Sequence, residues 1–378
     1  MKLKIIVLFI LGTCSSELFA QFIVQRGTLS TSETSVVSVQ GNLTILGNVH
    51  HRGSLLVYNH LLSNDGLTSS AGSLYLVGSD QHVQLINVSL STLSIQGGGT
   101  KQLTGNMTVL NELSLTEGII QTNTLPSELI LTPSARINGG SDQSYVDGFL
   151  YHSGTGEKFY PVGHNGTYAP ATLLNIQGDE PTVGLAYFSS PAIEGIPFHW
   201  QQRVLRGTYE GSHVELTFTS PNEDYLNYPD GLRVLAAQEG SALYTSLGQS
   251  SLTEQNNRFT LTSDQPTTLP WLTVGFDFST DQQNLYLPNA FSPTAPDAED
   301  RVVKVYGQKI SGEDFYFAIQ DTWGNVVYKT TSWEEASVQG WSGRIQGLTR
   351  GSATYRYLLE GTFIGGRRFR RTGTIVQY

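Results

Sequence analysis

The sequence predicts an all-β protein with three folded parts: a short parallel β-solenoid, then a β-sandwich, and last an immunoglobulin-like antiparallel β-sandwich. Short runs of β-branched and aromatic residues with alternating polarity recur along the chain, separated by Gly, Asn, Ser and Pro, and this pattern is typical of strands. In the first half a leucine also recurs about every 19 residues, a period that indicates stacked coils. The predicted boundaries are 21–137, 138–280 and 281–378.

The first residues have the pattern of a secretory signal peptide, predicted to span residues 1–20. Two lysines precede an apolar run, IIVLFILG (5–12), that is too short to cross a bilayer as a stable helix. We expect cleavage after Ala20. The alternative is lipidation at Cys14, the only cysteine of the chain. After cleavage no cysteine remains, which excludes a disulfide, a thiolate zinc site and a cysteine nucleophile.

Charge is distributed unevenly along the 378 residues, which carry a formal net charge of −10. Residues 21–280 contain 9 basic and 21 acidic side chains, whereas residues 281–378 contain 11 basic and 10 acidic ones. An acidic surface repels a phosphate backbone, so we expect no nucleic-acid partner.

A ladder of leucines identifies the solenoid. The strings SLLVY, SLYLVG, TLSIQG, ELSLTEG and ELILTP place leucines at nearly the same phase of the repeat, at Leu55, Leu74, Leu93, Leu113 and Leu129. Each coil of a parallel solenoid buries its leucines on the next coil, so we expect one continuous stack. The segment FIVQRGTL (22–29) is expected to cap one end, and the following domain the other. The alternative is an antiparallel sandwich with evenly spaced hairpins.

Region 138–280 has the strand pattern of a sandwich, with Pro and Gly clusters between strands. The predicted strands are TVGLAYF (182–188), WQQRVLRGTY (200–209), HVELTFTS (213–220), LRVLAAQ (232–238), RFTLTS (258–263) and LTVGF (272–276). Upstream, the elements S-Y-V-x-G, F-x-P-V-G and Y-x-P-x-x-L, within 144–173, resemble in general pattern a junction found in repeat-rich Bacteroidetes surface proteins. The polar stretch 277–284 is the predicted linker to the last domain.

Residues 284–378 contain many short strand-like runs and no helical pattern, which predicts a small antiparallel sandwich. The pair Gly365-Gly366 has the pattern of a two-residue hairpin turn. Trp323 and Trp341 each precede a glycine. We expect both to cap the core, with each indole N–H donating a hydrogen bond to a backbone carbonyl.

Five blocks of this segment carry a family resemblance: LYLPNAFSPTAPDAED (285–300), DTWGNVVY (321–328), GWSG (340–343), ATYRYLLEGTF (353–363) and GGRRFRRTGTIVQY (365–378). They resemble the gliding-motility-associated C-terminal domain, the type B sorting domain of the Bacteroidetes type IX secretion system. The resemblance implies secretion across the outer membrane to the cell surface or beyond, with the translocon and its outer-membrane shuttle components as partners. The motif residues are Pro288, Asn289, Ala290, Phe291, Pro293, Trp323, Gly324, Gly340, Trp341, Gly343 and Gly373.

The loop after the first block departs from the family pattern N-G-D-G-x-N-D. Residues 294–300 read TAPDAED, which keeps the spacing but loses most of the side-chain chemistry. Asp297, Glu299 and Asp300 offer oxygen atoms of the kind that bind cations. We nevertheless interpret the loop as an ordinary acidic turn.

The search for chemistry predicts no catalytic, cofactor-binding or metal-binding residue. Solenoid enzymes that cleave polysaccharides need clustered carboxylates, and the repeat region offers Asp65, Asp80, Glu112, Glu117 and Glu128. Asp65 and Asp80 are 15 residues apart and so not one coil apart, whereas Glu112 and Glu128 lie at repeated turn positions where solvated acids are expected. A surface metal site at His50, His51, His60 and His82 is disfavoured because adjacent histidines on a strand point to opposite faces. Nucleophile elbows, phosphate loops and zincin motifs are missing.

The basic run RRFRR (367–371) is interpreted as a solvated strand face, with Phe369 turned toward the core and Arg368 and Arg370 facing the other way. The alternative is contact with acidic groups of a secretion component or of surface polysaccharide.

Together these observations predict a non-enzymatic surface protein with a structural, adhesive or motility-associated role. Its partners would include surface polysaccharide or other cell-surface proteins. The alternatives are a divergent β-helical carbohydrate-active enzyme and an accessory component of the secretion or gliding apparatus.

Overall fold

The computed structural model describes residues 21–25, 28–64, 66–122, 127–190, 197–222, 225–226, 229–241, 243–276, 285–349, 351–364 and 368–378. The predicted signal peptide, the 277–284 linker and the Gly365-Gly366 turn lie outside these ranges. The chain divides into two compact units: unit 1 comprises Met1–Pro221 and Arg233–Val274, and unit 2 comprises Asn222–Leu232 and Gly275–Tyr378. The fold is all-β, as predicted. No helix in the described ranges has the length and apolar character needed to cross a bilayer.

Unit 1 begins with a parallel β-solenoid of about six coils. Coil by coil, its strands are β1 (Gln21–Val24), β2 (Thr28–Ser30) and β3 (Val36–Val39); β4 (Asn42–Ile45), β5 (Asn48–His50) and β6 (Ser54–Val57); β7 (Leu61–Ser63) and β8 (Leu67–Leu76); β9 (Gln81–Leu85) and β10 (Val88–Ile95); β11 (Thr100–Leu115); and β12 (Ile119–Gln121), β13 (Ser127–Leu131) and β14 (Arg136–Gly139). Each pairs in parallel with its counterpart one coil later, as β3 does with β6 and β6 with β8. The predicted solenoid is confirmed, and the alternative sandwich for this region is wrong.

Four of the five ladder leucines form the predicted stack. Leu55 pairs with Leu74, Leu74 with Leu93, and Leu93 with Leu113, and each is at most 4% exposed. Every coil therefore supplies part of the surface on which the next coil buries its apolar side chains.

The prediction was wrong for Leu129. This residue pairs with Met107 and Leu150 on another face of the coil, whereas the stack continues from Leu113 to Ile137. Leu129 follows Leu113 by only 16 residues, fewer than a full coil, so it lies on the face of the coil that precedes the leucine stack. The segment predicted to cap the first end, 22–29, instead supplies strands of the first coil itself.

One corner of the solenoid has a polar interior. The side chain of Lys101 is fully buried, and its ammonium donates hydrogen bonds to the backbone carbonyls of Gly78, Ser79 and Gly98. Burial lowers the pKa of Lys101 to about 8. The lysine provides donors for corner carbonyls that would otherwise be enclosed without partners.

Beyond the sixth coil the parallel sheet passes into antiparallel structure. The strands are β15 (Val146–Asp147), β16 (Leu150–Ser153), β17 (Gly156–Tyr160), β18 (Gly163–His164), β19 (Thr167–Tyr168), β20 (Ala171–Gln177), β21 (Thr182–Phe188), β22 (His199–Arg206), β23 (Gly211–Thr219), β24 (Leu232–Ala237), β25 (Thr245–Ser246), β26 (Ser251–Gln255), β27 (Arg258–Thr262) and β28 (Trp271–Phe276). β16 pairs in parallel with β13 of the solenoid and antiparallel with β21. The solenoid and the antiparallel region therefore share one hydrogen-bonded sheet.

A second, five-stranded sheet in the order β17-β20-β23-β27-β26 lies against this extension. The phenol of Tyr160 donates to the carbonyl of Val183 at 2.9 Å, and the rings of Phe198 and Phe218 are 5.7 Å apart. These contacts join the inner faces of the two sheets.

Unit 2 contains a five-stranded sheet and two short ribbons. Its strands are β29 (Leu285–Tyr286), β30 (Ala290–Phe291), β31 (Tyr306–Gly307), β32 (Tyr316–Gln320), β33 (Val326–Thr330), β34 (Arg344–Ile345), β35 (Leu348–Thr349), β36 (Ala353–Thr362) and β37 (Arg368–Gln377). The sheet order is β30-β37-β36-β32-β33, and β29–β31 and β34–β35 form the ribbons. The helical segments are the 3-10 turns Pro229–Gly231 and Glu299–Arg301 and a π-helical turn at Glu335–Gln339.

Candidate recognition site in the C-terminal unit

The first motif block contains a short strand, β30, that pairs with the last strand of unit 2, β37. β30 lies parallel to β37, with Ala290 opposite Val376. The N–H of Val376 donates to the carbonyl of Asn289 at 2.9 Å, and the N–H of Tyr378 donates to the carbonyl of Phe291 at 3.1 Å. Pro288 and Pro293, which flank the strand, are half-buried. Because proline lacks an N–H, β30 is kept short at both ends.

Three motif residues meet in the core beside this strand. The ring of Trp341 lies 5.4 Å from that of Phe291 and 4.7 Å, edge to face, from that of Tyr355. Gly343 has a φ of +75°, and a Cβ there would lie 2.8 Å from the Phe291 ring. The sequence motif thus brings two aromatic residues and a glycine together as a packing unit.

The other structural glycines have separate roles. Gly340 ends the π-helical turn with a φ of +67°, and a Cβ there would meet the carbonyl oxygen of Val303 at 2.5 Å. Gly373 pairs with Tyr357 across the sheet, and the tyrosine ring lies over it, 2.7 Å from where a Cβ would be. Both positions therefore exclude a larger side chain for steric reasons.

The expected core position was wrong for Trp323, whose side chain is 88% exposed. Trp323 lies in the turn between β32 and β33, outside the strands whose alternate side chains reach the core. Trp341 is buried as expected, at 3% exposed, but its indole N–H has no hydrogen-bond acceptor in the described part of the chain. The predicted bond to a backbone carbonyl is wrong because aromatic rings enclose the indole.

Asp321 holds the exposed turn in one shape. Its carboxylate accepts hydrogen bonds from the backbone N–H groups of Trp323 and Asn325, both at 2.9 Å, and from the Asn325 side-chain amide at 3.0 Å. The backbone N–H of Asp321 donates to Asn325, and its carbonyl accepts from Gly324, which has a φ of +86°. The turn therefore presents the indole of Trp323 on a fixed backbone.

The residues beside the turn offer further contacts. Val326, at the start of β33, is 49% exposed. Gln320 at the end of β32 lies opposite the exposed Arg356 of β36, which lies opposite Thr374 of β37. The indole and the apolar side chain are thus carried by the β32–β33 turn and the start of the edge strand β33, and the guanidinium by the neighbouring central strand β36. Trp and Arg are the residue types that most often dominate binding energies at interfaces.

Unit 2 also has an aromatic-lined cavity of about 360 Å³ between the β29–β31 ribbon and the π-helical turn. Tyr286, Tyr306 and Trp333 line it, and the two tyrosine rings are 6.1 Å apart. A Cβ at Gly307 would lie 3.3 Å from the indole of Trp333. The described lining residues carry no charge, so the cavity suits an uncharged group.

The basic run on β37 has the predicted alternation. The ring of Phe369 packs 4.8 Å from that of Phe363, whereas Arg370 forms an exposed ion pair with Glu360 at 3.0 Å. Arg368 is exposed, and Arg371 donates to the backbone carbonyl of Leu285 at 2.6 Å. Two of these arginines are therefore already engaged within the unit.

The acidic loop after the first block is also engaged internally. The carboxylate of Glu299 binds the ammonium of Lys304 at 3.3 Å and the phenol of Tyr306 at 3.2 Å. Asp297 accepts a bond from the backbone N–H of Glu299 at 3.1 Å. Within the described ranges no three His, Cys, Asp or Glu side chains come together as a metal site would need.

In the solenoid, Asp65 lies outside the described residues and the other acids are dispersed. Asp80 accepts a hydrogen bond from the Thr100 backbone at 2.8 Å, Glu112 lies opposite Arg136, and Glu128 is 3.8 Å from Arg206. The charges of Asp80 and Glu117 raise the pKa of the nearby Lys101, but burial lowers it by more.

The adjacent histidines His50 and His51 point to opposite faces, as expected: His50 is exposed and His51 is buried. His51 shares a 2.9 Å hydrogen bond with the Thr31 hydroxyl, and burial lowers its pKa. The ring of His82 lies tilted against that of His60, one coil earlier, with centroids 5.0 Å apart.

Sequence reasoning missed the residues that organise the turn and the cavity. Asp321 was considered only as part of the DTWGNVVY block of the family resemblance, although an Asp two residues before W-G-N is a signal for a side chain that bonds its own turn. Tyr286, Tyr306 and Trp333 come from three elements, and no local pattern joins them.

In comparisons with known proteins, no family model matches the chain and no curated protein matches its sequence.

Proposed function

We propose that residues 281–378 form a type B sorting domain that directs the chain through type IX secretion, after a signal peptide at 1–20 has taken it across the inner membrane. The observation that carries the proposal is the exposed indole of Trp323 on its hydrogen-bonded turn. Phe291 and Trp341, the other aromatic residues of the motif, are at most 4% exposed and serve the fold.

An exposed tryptophan on an ordered turn is suited to binding a partner. Its indole remains in water in the free protein, so burial against another surface is favourable, by about 25 cal/mol per Å² of apolar area. Asp321 fixes the turn before binding, which reduces the conformational entropy lost on association. We therefore assign the Trp323 turn, with Val326 and Arg356 beside it, as the contact for the translocon or for a shuttle component.

The finer fold assignment is part of the same proposal. Two antiparallel sheets in contact through Tyr160 and Phe198 support a sandwich for the second half of unit 1. The five-stranded sheet of unit 2 and its aromatic core support an immunoglobulin-like arrangement for the sorting domain.

The cargo, residues 21–280, is proposed to be a non-enzymatic surface protein that acts in adhesion, in the cell coat or in motility. The separately engaged carboxylates of Asp80 and Glu128 support this role, since a hydrolase or lyase requires convergent acids. Surface polysaccharide or other surface proteins are the partners proposed for it.

Export of the full chain tests the proposal. Cell fractionation would compare the intact protein with a chain lacking 281–378 and with Trp323→Ala, using Leu348→Ala as the control because Leu348 is also on the surface of unit 2, at 73% exposed. We expect the deletion and Trp323→Ala to accumulate inside the outer membrane and Leu348→Ala to reach the surface.

Two results would count against this assignment. Normal surface amounts of the chain without 281–378 would remove the sorting role altogether. Normal export of Trp323→Ala, with the deletion still retained inside, would leave the sorting role but move the contact away from this turn. Circular dichroism of each purified variant separates loss of recognition from misfolding.

A further inference from the structure

The first coil of the solenoid has an open edge. Among the described residues, β1 pairs only with β4, β2 only with β5, and β3 only with β6. The strands of the second to fifth coils pair with a coil on each side. The outer backbone N–H and C=O groups of the first three strands therefore lack the β-ladder partners that other coils have, and such an edge is a template for another chain.

The apolar interior is also open at this end. Phe22 is half-buried, whereas its counterparts one and two coils later, Leu43 and Leu61, are 3% and 0% exposed. Val37 and Leu55 show the same trend. Phe22, Val37, Leu43 and Leu55 line a small apolar cavity at this end.

The described strands of this edge are short but lack the charged residues and prolines that commonly protect an edge against association. The strand sequences QFIV, TLS and VVSV contain no lysine, no proline and no charged residue. Val36 is 68% exposed and Ile23 is 43% exposed. The protein carries a net charge of −10, so an uncharged surface is where two copies approach each other without strong repulsion.

We propose that this edge binds the same edge of a second copy, so that the protein forms a head-to-head dimer through its first coils. An extended peptide would satisfy one strand and leave two open. A second coil end presents three strands and an apolar interior together, and thus complements the whole surface. Two-fold symmetry makes the strands antiparallel across the interface, a stable pairing mode.

The assembly stops at two copies because, at the other end of the solenoid, β12 and β13 are covered by β15 and β16. β16 continues from the sixth coil into antiparallel pairing with β21, and Val146 of β15 forms a bridge with Val162. One open end per chain gives a closed, isologous pair and no filament.

Sedimentation velocity on the full chain tests this proposal. The protein would be purified from cells, and its first residue would be determined by mass spectrometry. We expect a monomer–dimer equilibrium that shifts with concentration and shows no larger species. The double variant Ile23→Lys/Val36→Lys places charges on the edge without entering the interior. It should raise the dimer dissociation constant by at least about tenfold. Leu46→Lys, at a 61% exposed position in the second coil, is the control and should leave the constant unchanged.

Hydrogen exchange of the unaltered protein gives an independent measurement if the double variant fails to fold. The amides of β1, β2 and β3 should become protected as concentration rises. A monomer at all concentrations, or edge amides protected in the monomer by the chain's own first residues, would overturn the proposal. So would filaments, or a dimer that survives the edge lysines but is lost in Leu46→Lys.

Discussion

The backbone of Gly343 lies so close to the ring of Phe291 that a Cβ at position 343 would be 2.8 Å from the ring. Phe291 lies beside β37 and packs against the ring of Trp341. Its contact with Gly343 joins two motif blocks that are about fifty residues apart in the sequence. Two glycines in similar backbone conformations make its contribution measurable.

Gly343→Ala should destabilise unit 2 more than Gly347→Ala. Gly347 has a φ of +81°, close to the +75° of Gly343, but nothing lies within 4 Å of a Cβ there. In both variants the alanine must adopt a left-handed backbone conformation, which lowers the stability of the fold by about 1 kcal/mol. Only Gly343→Ala also overpacks the core, which lowers the stability by about a further 1 to 3 kcal/mol. Urea unfolding of the two variants gives the difference. Equal losses of stability would mean that the core accommodates the methyl group.

Trp323 and Trp341, two of the tryptophans of unit 2, should differ in how much their truncation lowers stability. Trp341→Ala removes a buried side chain in contact with Phe291 and Tyr355, and should lower the free energy of unfolding by about 3 to 5 kcal/mol. Trp323→Ala removes an exposed side chain and should change it by less than about 0.5 kcal/mol. Chemical denaturation followed by circular dichroism measures both. A large loss for Trp323→Ala would show that the indole packs against the protein in solution.

Leu93→Ala should weaken the solenoid as a whole. Leu93 is fully buried between Leu74 and Leu113, so its truncation should cost about 2 to 5 kcal/mol. Nearest-neighbour contacts carry most of a solenoid's stability, so hydrogen exchange should become faster in the coils on both sides. Leu62→Ala, at a 41% exposed position in the third coil, is the control. Faster exchange confined to β10 would contradict the cooperative stack.

His152 should make unit 1 acid-sensitive. Burial, followed by the charge of Lys158, lowers the pKa of His152 to about 3, and its Nε2 lies 3.0 Å from the Phe159 carbonyl. The unfolded chain binds a proton near the ordinary pKa of 6.5, whereas the folded chain does not. The stability linked to this group is therefore complete above pH 6.5 and is lost as the pH falls from 6.5 toward 3.

The variant His152→Gln isolates this contribution, since glutamine can donate to the same carbonyl and does not titrate. The difference in unfolding free energy between the wild type and the variant should shrink or reverse as the pH is lowered from 7 to 4. Parallel stability curves over this range would show that His152 titrates normally in the folded protein.

The periodicity of the sequence predicted the solenoid because the repeat is a local property. Leucines at intervals of 19 or 20 residues, from Leu55 to Leu113, lie in register, and the shorter interval to Leu129 marked a different face. Lys101 could not be predicted to be buried, because its partners are carbonyls of corner residues and carbonyls leave no mark on the sequence.

At the candidate site, the sequence did not distinguish the buried motif tryptophan from the exposed one. Trp323 and Trp341 both precede glycine, but the first lies in a two-strand turn and the second forms a bridge with Val303 inside the unit. The difference depends on strand pairing with distant segments, which single-sequence patterns do not contain. The aromatic cavity of Tyr286, Tyr306 and Trp333 is hidden for the same reason.

The pairing of β30 with β37 has a consequence for biosynthesis. β30 is the first strand of its sheet in the sequence, and its only ladder partner among the described strands is the last one. The ribosome must therefore release β37 before β30 can pair, and this dependence on distant contacts makes folding slow. A chain that leaves the cytoplasm while it is still being synthesised would cross the inner membrane with unit 2 unfolded. For the secretion that we propose, the late closure of this sheet would leave unit 2 unfolded until β37 has been synthesised.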